Sequence, residues 1–169
     1  FFLMLRDERR CKQGRSSAAS DVYKGQLDAI AWLDEQEATA WSEIAVDDTG
    51  VMDLESLEQV LGERKITLVS SLVANNEVGS IQPVKEIVDI SSAHGVPVHV
   101  DAVAALGYQR LNFRDMGVES MSLSAHKVGG PVGVGALVLS RYALDIQALH
   151  HGGNQQRSRS GTMDAAGAV

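Results

Sequence analysis

The feature that most constrains this chain is its alternation of compact apolar runs with segments of helical spacing. "ITLVSSLV" (66–73), "VPVHVDAV" (96–103) and "SMSLSA" (120–125) read as short buried strands. Between the first two lies "PVKEIVDISSAHG", where Pro83 suits the first turn of a helix and Gly95 its end. Between the second and third lies a shorter helical connection around "LNFRDMG". Upstream, "LDAIAWLDEQ" has apolar residues at helical spacing, and "WSEIAVDDTG" reads as a strand running into a turn. "MDLESLEQVL" suits a helix capped by Asp53, with Leu54, Leu57 and Leu61 on one face, and "GVGALVLS" is a further strand. Buried strands separated by helices predict an α/β fold: a mostly parallel sheet with helices on both faces.

In such sheets ligands sit at the carboxyl ends of the strands, so polar residues that terminate strands are the candidates for function. Three groups qualify: Asn75, Asn76 and Glu77; His99 and Asp101; and Ser124, His126 and Lys127. They show no metal-ligand spacing. "SLSAH" lacks the G-x-S-x-G elbow of a serine nucleophile, and "GGPVGVG" lacks the Gly-Lys-Ser/Thr of a phosphate loop. The adjacent His150 and His151 are too close in sequence to ligate one metal together and fit the loop before "GGNQQ". One chemistry uses all the residue types at once. A lysine amine forms a Schiff base with an aldehyde, a carboxylate keeps a pyridine nitrogen protonated, and small polar residues hold a phosphate. That combination points to pyridoxal 5′-phosphate. Each residue also has a plainer reading: Lys127 as a surface loop lysine, Asp101 as a turn carboxylate, His126 as a satisfied histidine, Asn75 as a loop cap.

Composition narrows the partners. The 169 residues are 44% hydrophobic and 22% charged, ordinary for one globular domain. Residues 1–26 carry six Lys/Arg against three Asp/Glu, whereas residues 27–169 carry nine against nineteen, net −10. So acidic a body argues against nucleic acid, which needs clustered cations. No apolar run is long enough to span a bilayer. The single cysteine, Cys11, allows neither a disulfide framework nor a cysteine metal site, which fits a cytoplasmic setting.

Four motifs carry a more specific message. "ANNEVGSIQPV" (74–84), "HVDAV" (99–103), "SLSAHKVGGPVGVGAL" (122–137) and "RSGT" (159–162) resemble, in order and spacing, the cysteine desulfurases of the class V aminotransferase group. The resemblance implies part of the large domain of the fold type I, aspartate aminotransferase-like, pyridoxal-phosphate fold. It implies conversion of L-cysteine to L-alanine, with sulfur left as an enzyme persulfide and passed to an acceptor protein, as in iron–sulfur cluster assembly. By it, Lys127 holds the cofactor and moves protons at the substrate α-carbon, and Asp101 pairs with the pyridinium nitrogen. Ser124 and His126 bind the phosphate, and Asn75 lies beside the phenolic oxygen. Thr162 reaches the phosphate of the neighbouring subunit, which implies a homodimer. His99 receives no role. A selenocysteine lyase or related class V lyase or aminotransferase, and a non-catalytic homologue, are the alternatives.

The match also has gaps. The family's H-x-D-A-x-Q places a glutamine where this chain has Ala104, removing a donor to the phenolic oxygen, and "HGGNQQRSRSGT" is one residue shorter than the common form. The histidine that stacks on the ring in the family falls at Tyr23. Residues 1–26, "FFLMLRDERRCKQGRSSAASDVYKGQ", have no sustained helical or strand period, and "SSAASDVYKGQ" resembles translated sequencing-adapter read-through. The expectation is a non-native, disordered segment over 1–26. Residues 27–169 would then be a partial cofactor-binding domain without the family's N-terminal part, its mobile loop with the persulfide cysteine, its carboxylate-binding arginine or its small domain. Such a fragment is expected to be inactive alone.

Overall fold

The computed structural model describes residues 3–6 and 40–141. Its strands are β1 (Leu3–Arg6), β2 (Ala40–Glu43), β3 (Ile66–Leu72), β4 (Val98–Asp101), β5 (Ser120–Ser124) and β6 (Gly135–Leu139). Its helices are α1 (Leu54–Glu63), α2 (Val84–Ala93) and α3 (Phe113–Met116). The six strands form one sheet in the order β2-β1-β3-β4-β5-β6. β3, β4 and β5 run parallel and make its centre, joined by crossovers through α2 and α3. The flanking pairings, β1 with β2 and β3, and β5 with β6, are antiparallel, so the sheet is mixed around a parallel middle.

Local chemistry sets the helices. Asp53 caps α1, its carboxylate accepting from the N–H groups of Glu55 and Ser56 at 3.0 and 3.2 Å. α2 starts after Pro83 and stops at His94, where Gly95 at φ 70° turns the chain in a conformation that favours glycine. α1 buries Leu57 and Leu61, and α2 buries Val84, Ile87, Val88 and Ser91. These meet Val69, Val98, Val100 and Met121 in a single core, to which α3 adds the edge of Phe113 and Met116. The three helices among the described residues therefore lie on one face of the sheet.

Two outcomes differ from what the sequence pattern suggests. Leu3–Arg6 form a strand inside the segment that shows no strand period; Met4 pairs with Ser42 on one side and Val69 on the other. The strands are also less uniformly apolar than their composition implies, because β4 and β5 alternate polar and apolar residues. The predicted helix at 27–36 lies outside the described residues, as do Cys11, Tyr23, His150 and His151.

Candidate functional site

Because β3, β4 and β5 are parallel, their carboxyl ends share one edge of the sheet. Asn75 follows β3, Asp101 ends β4, and Ser124 ends β5 with His126 and Lys127 just beyond it. The fold thus brings five of the six predicted site residues to one edge; Thr162 lies outside the described residues.

Each is held by its own local structure. The Asn75 side-chain oxygen accepts from the N–H groups of Glu77 and Val78 at 2.8 and 3.2 Å, capping a turn that the Gly79 N–H closes onto the Asn75 carbonyl. That uses the oxygen end of the amide and leaves the NH₂ end as a donor group. Asp101 is buried, and one of its carboxylate oxygens accepts from the Val103 N–H at 2.9 Å. Ser124 Oγ and His126 Nδ1 lie 2.7 Å apart, so hydroxyl and imidazole act as a pair. Lys127 sits exposed in a 3₁₀ turn over Ala125–Val128.

The glycines after Lys127 now have a reason. Gly129 closes the 3₁₀ turn at φ 78°, and a Cβ on Gly130 would lie 2.7 Å from the Ala125 Cβ and 2.9 Å from its carbonyl oxygen. The turn can fold back on Ala125 only where a side chain is absent.

Two further residues support these positions: Gln82, which the sequence did not single out, and His99, a strand-end candidate that received no role. Gln82 is buried between two loops: its side-chain oxygen accepts from the Met52 N–H at 3.0 Å and its amide donates to the Gly50 carbonyl at 2.8 Å. Through the Gln82 N–H, which donates to the Val73 carbonyl, it braces the turn that carries Asn75. His99 faces β5, with Nδ1 2.8 Å from Ser120 Oγ and Nε2 3.2 Å from Ser122 Oγ. Burial pushes its pKa below the ordinary 6.5, and the Asp101 charge pulls it back in part. The signal for His99 was present as strict alternation in "VHVD" and "SMSLS".

The donor set suits pyridoxal phosphate: a buried carboxylate for a protonated ring nitrogen, a hydroxyl–imidazole pair for phosphate, an amide donor, and an accessible amine. Ala104, in the turn after β4, offers no hydrogen-bonding side chain. Among the described residues, no group of histidine, cysteine and carboxylate side chains could hold a metal ion, and no helix is long and apolar enough to cross a membrane.

A mixed α/β sheet with a polar cluster at the carboxyl ends of its parallel strands defines the class of strand-end, ligand-binding α/β domains. Comparison with known proteins makes that specific. Residues 19–165 match the family model described as aminotransferase class-V, and the chain belongs to that family, whose members generally use pyridoxal phosphate. The matched stretch starts at residue 19, inside the segment whose composition sets it apart.

Among curated relatives, the chain is 41% identical over 146 residues to an IscS-like cysteine desulfurase of Mycobacterium tuberculosis, covering 85% of this chain and 37% of that protein. It is 40% identical over 159 residues to the cysteine desulfurase IscS of Clostridium botulinum, covering 94% of this chain and 40% of that one. It thus spans about 40% of the length of the curated relatives it matches. Among solved structures, a NifS-like protein superposes with a TM-score of 0.78 at 38% identity, covering 85% of this chain and 40% of that one. A NifS-like protein from Rickettsia africae gives 0.68 at 36% identity, covering 72% and 34%.

Proposed function

We propose that this chain is the cofactor-holding part of a pyridoxal-phosphate-dependent cysteine desulfurase, which converts L-cysteine to L-alanine and leaves the sulfur on an enzyme thiol as a persulfide. The observation that carries this reading is the convergence of Asn75, Asp101, Ser124, His126 and Lys127 at one sheet edge, in a chain about 40% identical to proteins named cysteine desulfurase.

When bound, the cofactor supplies an electron sink for the substrate's α-carbon. The chain's own residues do the rest. Lys127 would tether the aldehyde carbon and move the proton at the substrate α-carbon, for which an exposed amine in the 3₁₀ turn just past β5 is suited. Asp101, oriented by the Val103 N–H, holds a proton on the ring nitrogen; a charged, partly desolvated contact there is stronger than a neutral one. Ser124 and His126 would bind the phosphate, and the Asn75 amide would donate to the phenolic oxygen. Thr162 would complete the phosphate contacts across a homodimer. The sulfur would then pass to an acceptor protein in a cytoplasmic setting.

Ala104 favours a second reading, a class V homologue that binds the cofactor without desulfurase turnover, since the family's glutamine at that place is missing. Retention of pyridoxal phosphate together with failure to release alanine from cysteine, in the whole protein, would select it.

The direct test is to incubate the chain with pyridoxal phosphate, reduce with borohydride and locate the adduct by peptide mass. Modification at Lys127 alone is expected. Scattered modification, or none, would overturn the reading.

A further inference from the structure

The sheet surface that carries Asp101 holds one titratable ring to which no step above gives a task. Along β4 the period of two puts His99 and Asp101 on one face and Val98 and Val100 in the core. Along β5, Ser120 is the cross-strand partner of His99, and Ser122 that of Asp101. Both ring nitrogens of His99 therefore end on β5, Nδ1 on the directly opposite serine and Nε2 on the diagonal one. A hydroxyl can donate or accept, so a neutral imidazole, with one N–H and one lone pair, satisfies both contacts. Burial favours that neutral form.

The ladder beneath this ring is short. β4 and β5 pair only through His99, Val100 and Asp101 with Ser120, Met121 and Ser122. The Glu119 N–H donates to the Val98 carbonyl at 2.9 Å before this stretch, and the Ala102 N–H to the Ser122 carbonyl at 3.0 Å after it. Any slack passes straight to the site, because Asp101 is the last residue of β4 and Ser124 the last of β5.

We propose that His99 is a positioning residue: its imidazole ties β5 to β4 through the hydroxyls of Ser120 and Ser122, and so fixes the spacing between the Asp101 carboxylate and the turn that bears Ser124, His126 and Lys127. A neutral clamp does this without adding a positive charge beside Asp101. The role rests on the reading that pyridoxal phosphate spans Asp101 and Lys127, since only a ligand touching both strand ends would register their spacing.

The test uses the full chain as wild type, His99→Leu, His99→Gln and the double variant Ser120→Ala/Ser122→Ala. Circular dichroism reports folding. The readouts are the fraction of Lys127 reduced by borohydride at a fixed, sub-saturating pyridoxal phosphate concentration, and the visible absorption maximum before reduction. With two hydrogen bonds removed, His99→Leu should lower the Lys127 adduct roughly tenfold and shift the absorption maximum. His99→Gln, which keeps a donor and an acceptor at its tip, should recover most of the adduct. The serine double variant should match His99→Leu, and combining the two should add nothing further, as for residues acting through one interaction. If His99→Leu does not fold, the glutamine and serine variants decide the matter. A wild-type chain that gives no Lys127 adduct would overturn the cofactor reading and this role with it. A normal wild-type adduct that neither the serine variant nor any folded His99 variant changes would overturn the clamp alone.

Discussion

The two faces of the central sheet are made by the same strands and could hardly differ more. On the helix side, Val69, Val98, Val100 and Met121 pack with Leu57 and Ile87 into a closed apolar layer, each no more than 3% exposed. On the opposite side, Ser70, His99, Ser120 and Ser122 sit half-buried, and β6 turns Leu137 and Leu139 outward, 41% and 40% exposed. Alternation along each strand delivers one residue to stability and the next to chemistry. Substitutions should therefore differ in their main effect: large-to-small changes on the helix face act chiefly on unfolding free energy, and changes on the polar face and its edge act chiefly on ligand binding, with smaller effects on stability.

The largest effects come from the extremes of that division. Lys127→Ala removes an exposed side chain and should abolish the borohydride-trapped adduct entirely, while moving the urea midpoint by less than about 0.5 kcal/mol equivalent. Ile87→Ala should do the reverse. It empties a fully buried site between α2 and the sheet and should cost roughly 2–5 kcal/mol in denaturant unfolding. Where it remains folded, it should still trap at Lys127. Adduct loss in folded Ile87→Ala equal to that of Lys127→Ala would break the separation.

Asp101 tests the border, because it is buried and yet belongs to the polar face. Asp101→Asn keeps an oxygen for the Val103 N–H but no longer carries a charge. Since charge-assisted contacts are about twice as strong as neutral ones, pyridoxal phosphate affinity, read by absorbance titration, should fall roughly tenfold or more. The melting temperature should move less than for Ile87→Ala.

Which parts of this were legible follows the range of the signals. The Asp53 cap, the start of α2 after Pro83 and its end at Gly95 depend on residues within a turn of one another, and the sequence pattern gives all three. The gathering of Asn75, Asp101 and the Ser124–Lys127 segment was legible because parallel strands put their carboxyl ends on one side. β1 was not: it is four residues long, and its partners Ala40–Glu43 and Ile66–Leu72 lie far along the chain, so no local period marks it. The antiparallel β5–β6 pair could have been inferred from its short glycine-rich connection, since a parallel return needs a crossover of a dozen residues or more. His99 was named as a strand-end polar residue but given no role, for another reason. Its strand reads as compact and apolar by composition, whereas the information lay in the alternation.

A smaller effect sharpens the comparison through pH. Burial holds the folded-state pKa of His99 below 6.5, so between that lowered value and 6.5 the unfolded chain binds more protons than the folded one. His99 therefore favours folding fully above pH 6.5, and this contribution is lost as pH falls through the folded pKa. The slope attributable to it is at most about 1.4 kcal/mol per pH unit. Urea unfolding between pH 7.5 and 5 should show the decline, and His99→Gln should remove that component. An identical slope in the variant would mean that the ring is not held neutral by burial.

The finest test applies one substitution to both faces. Ser91 is fully buried in α2 on the helix side, and its hydroxyl has no hydrogen-bond partner among the described residues. Removing an unsatisfied polar atom from an apolar layer should be neutral or stabilising, so Ser91→Ala should leave the unfolding free energy unchanged or raise it by up to about 1 kcal/mol. Ser122, on the polar face, contacts His99 Nε2 at 3.2 Å, and Ser122→Ala leaves that half-buried nitrogen short of a partner. It should lower the same quantity by about 0.5–1.5 kcal/mol. One serine-to-alanine change thus carries opposite signs on the two faces of the same domain, because the first hydroxyl sits in an apolar layer and the second in a polar one. Equal signs for the two variants would mean that the faces differ in exposure only, and that the polar one is not an organised network.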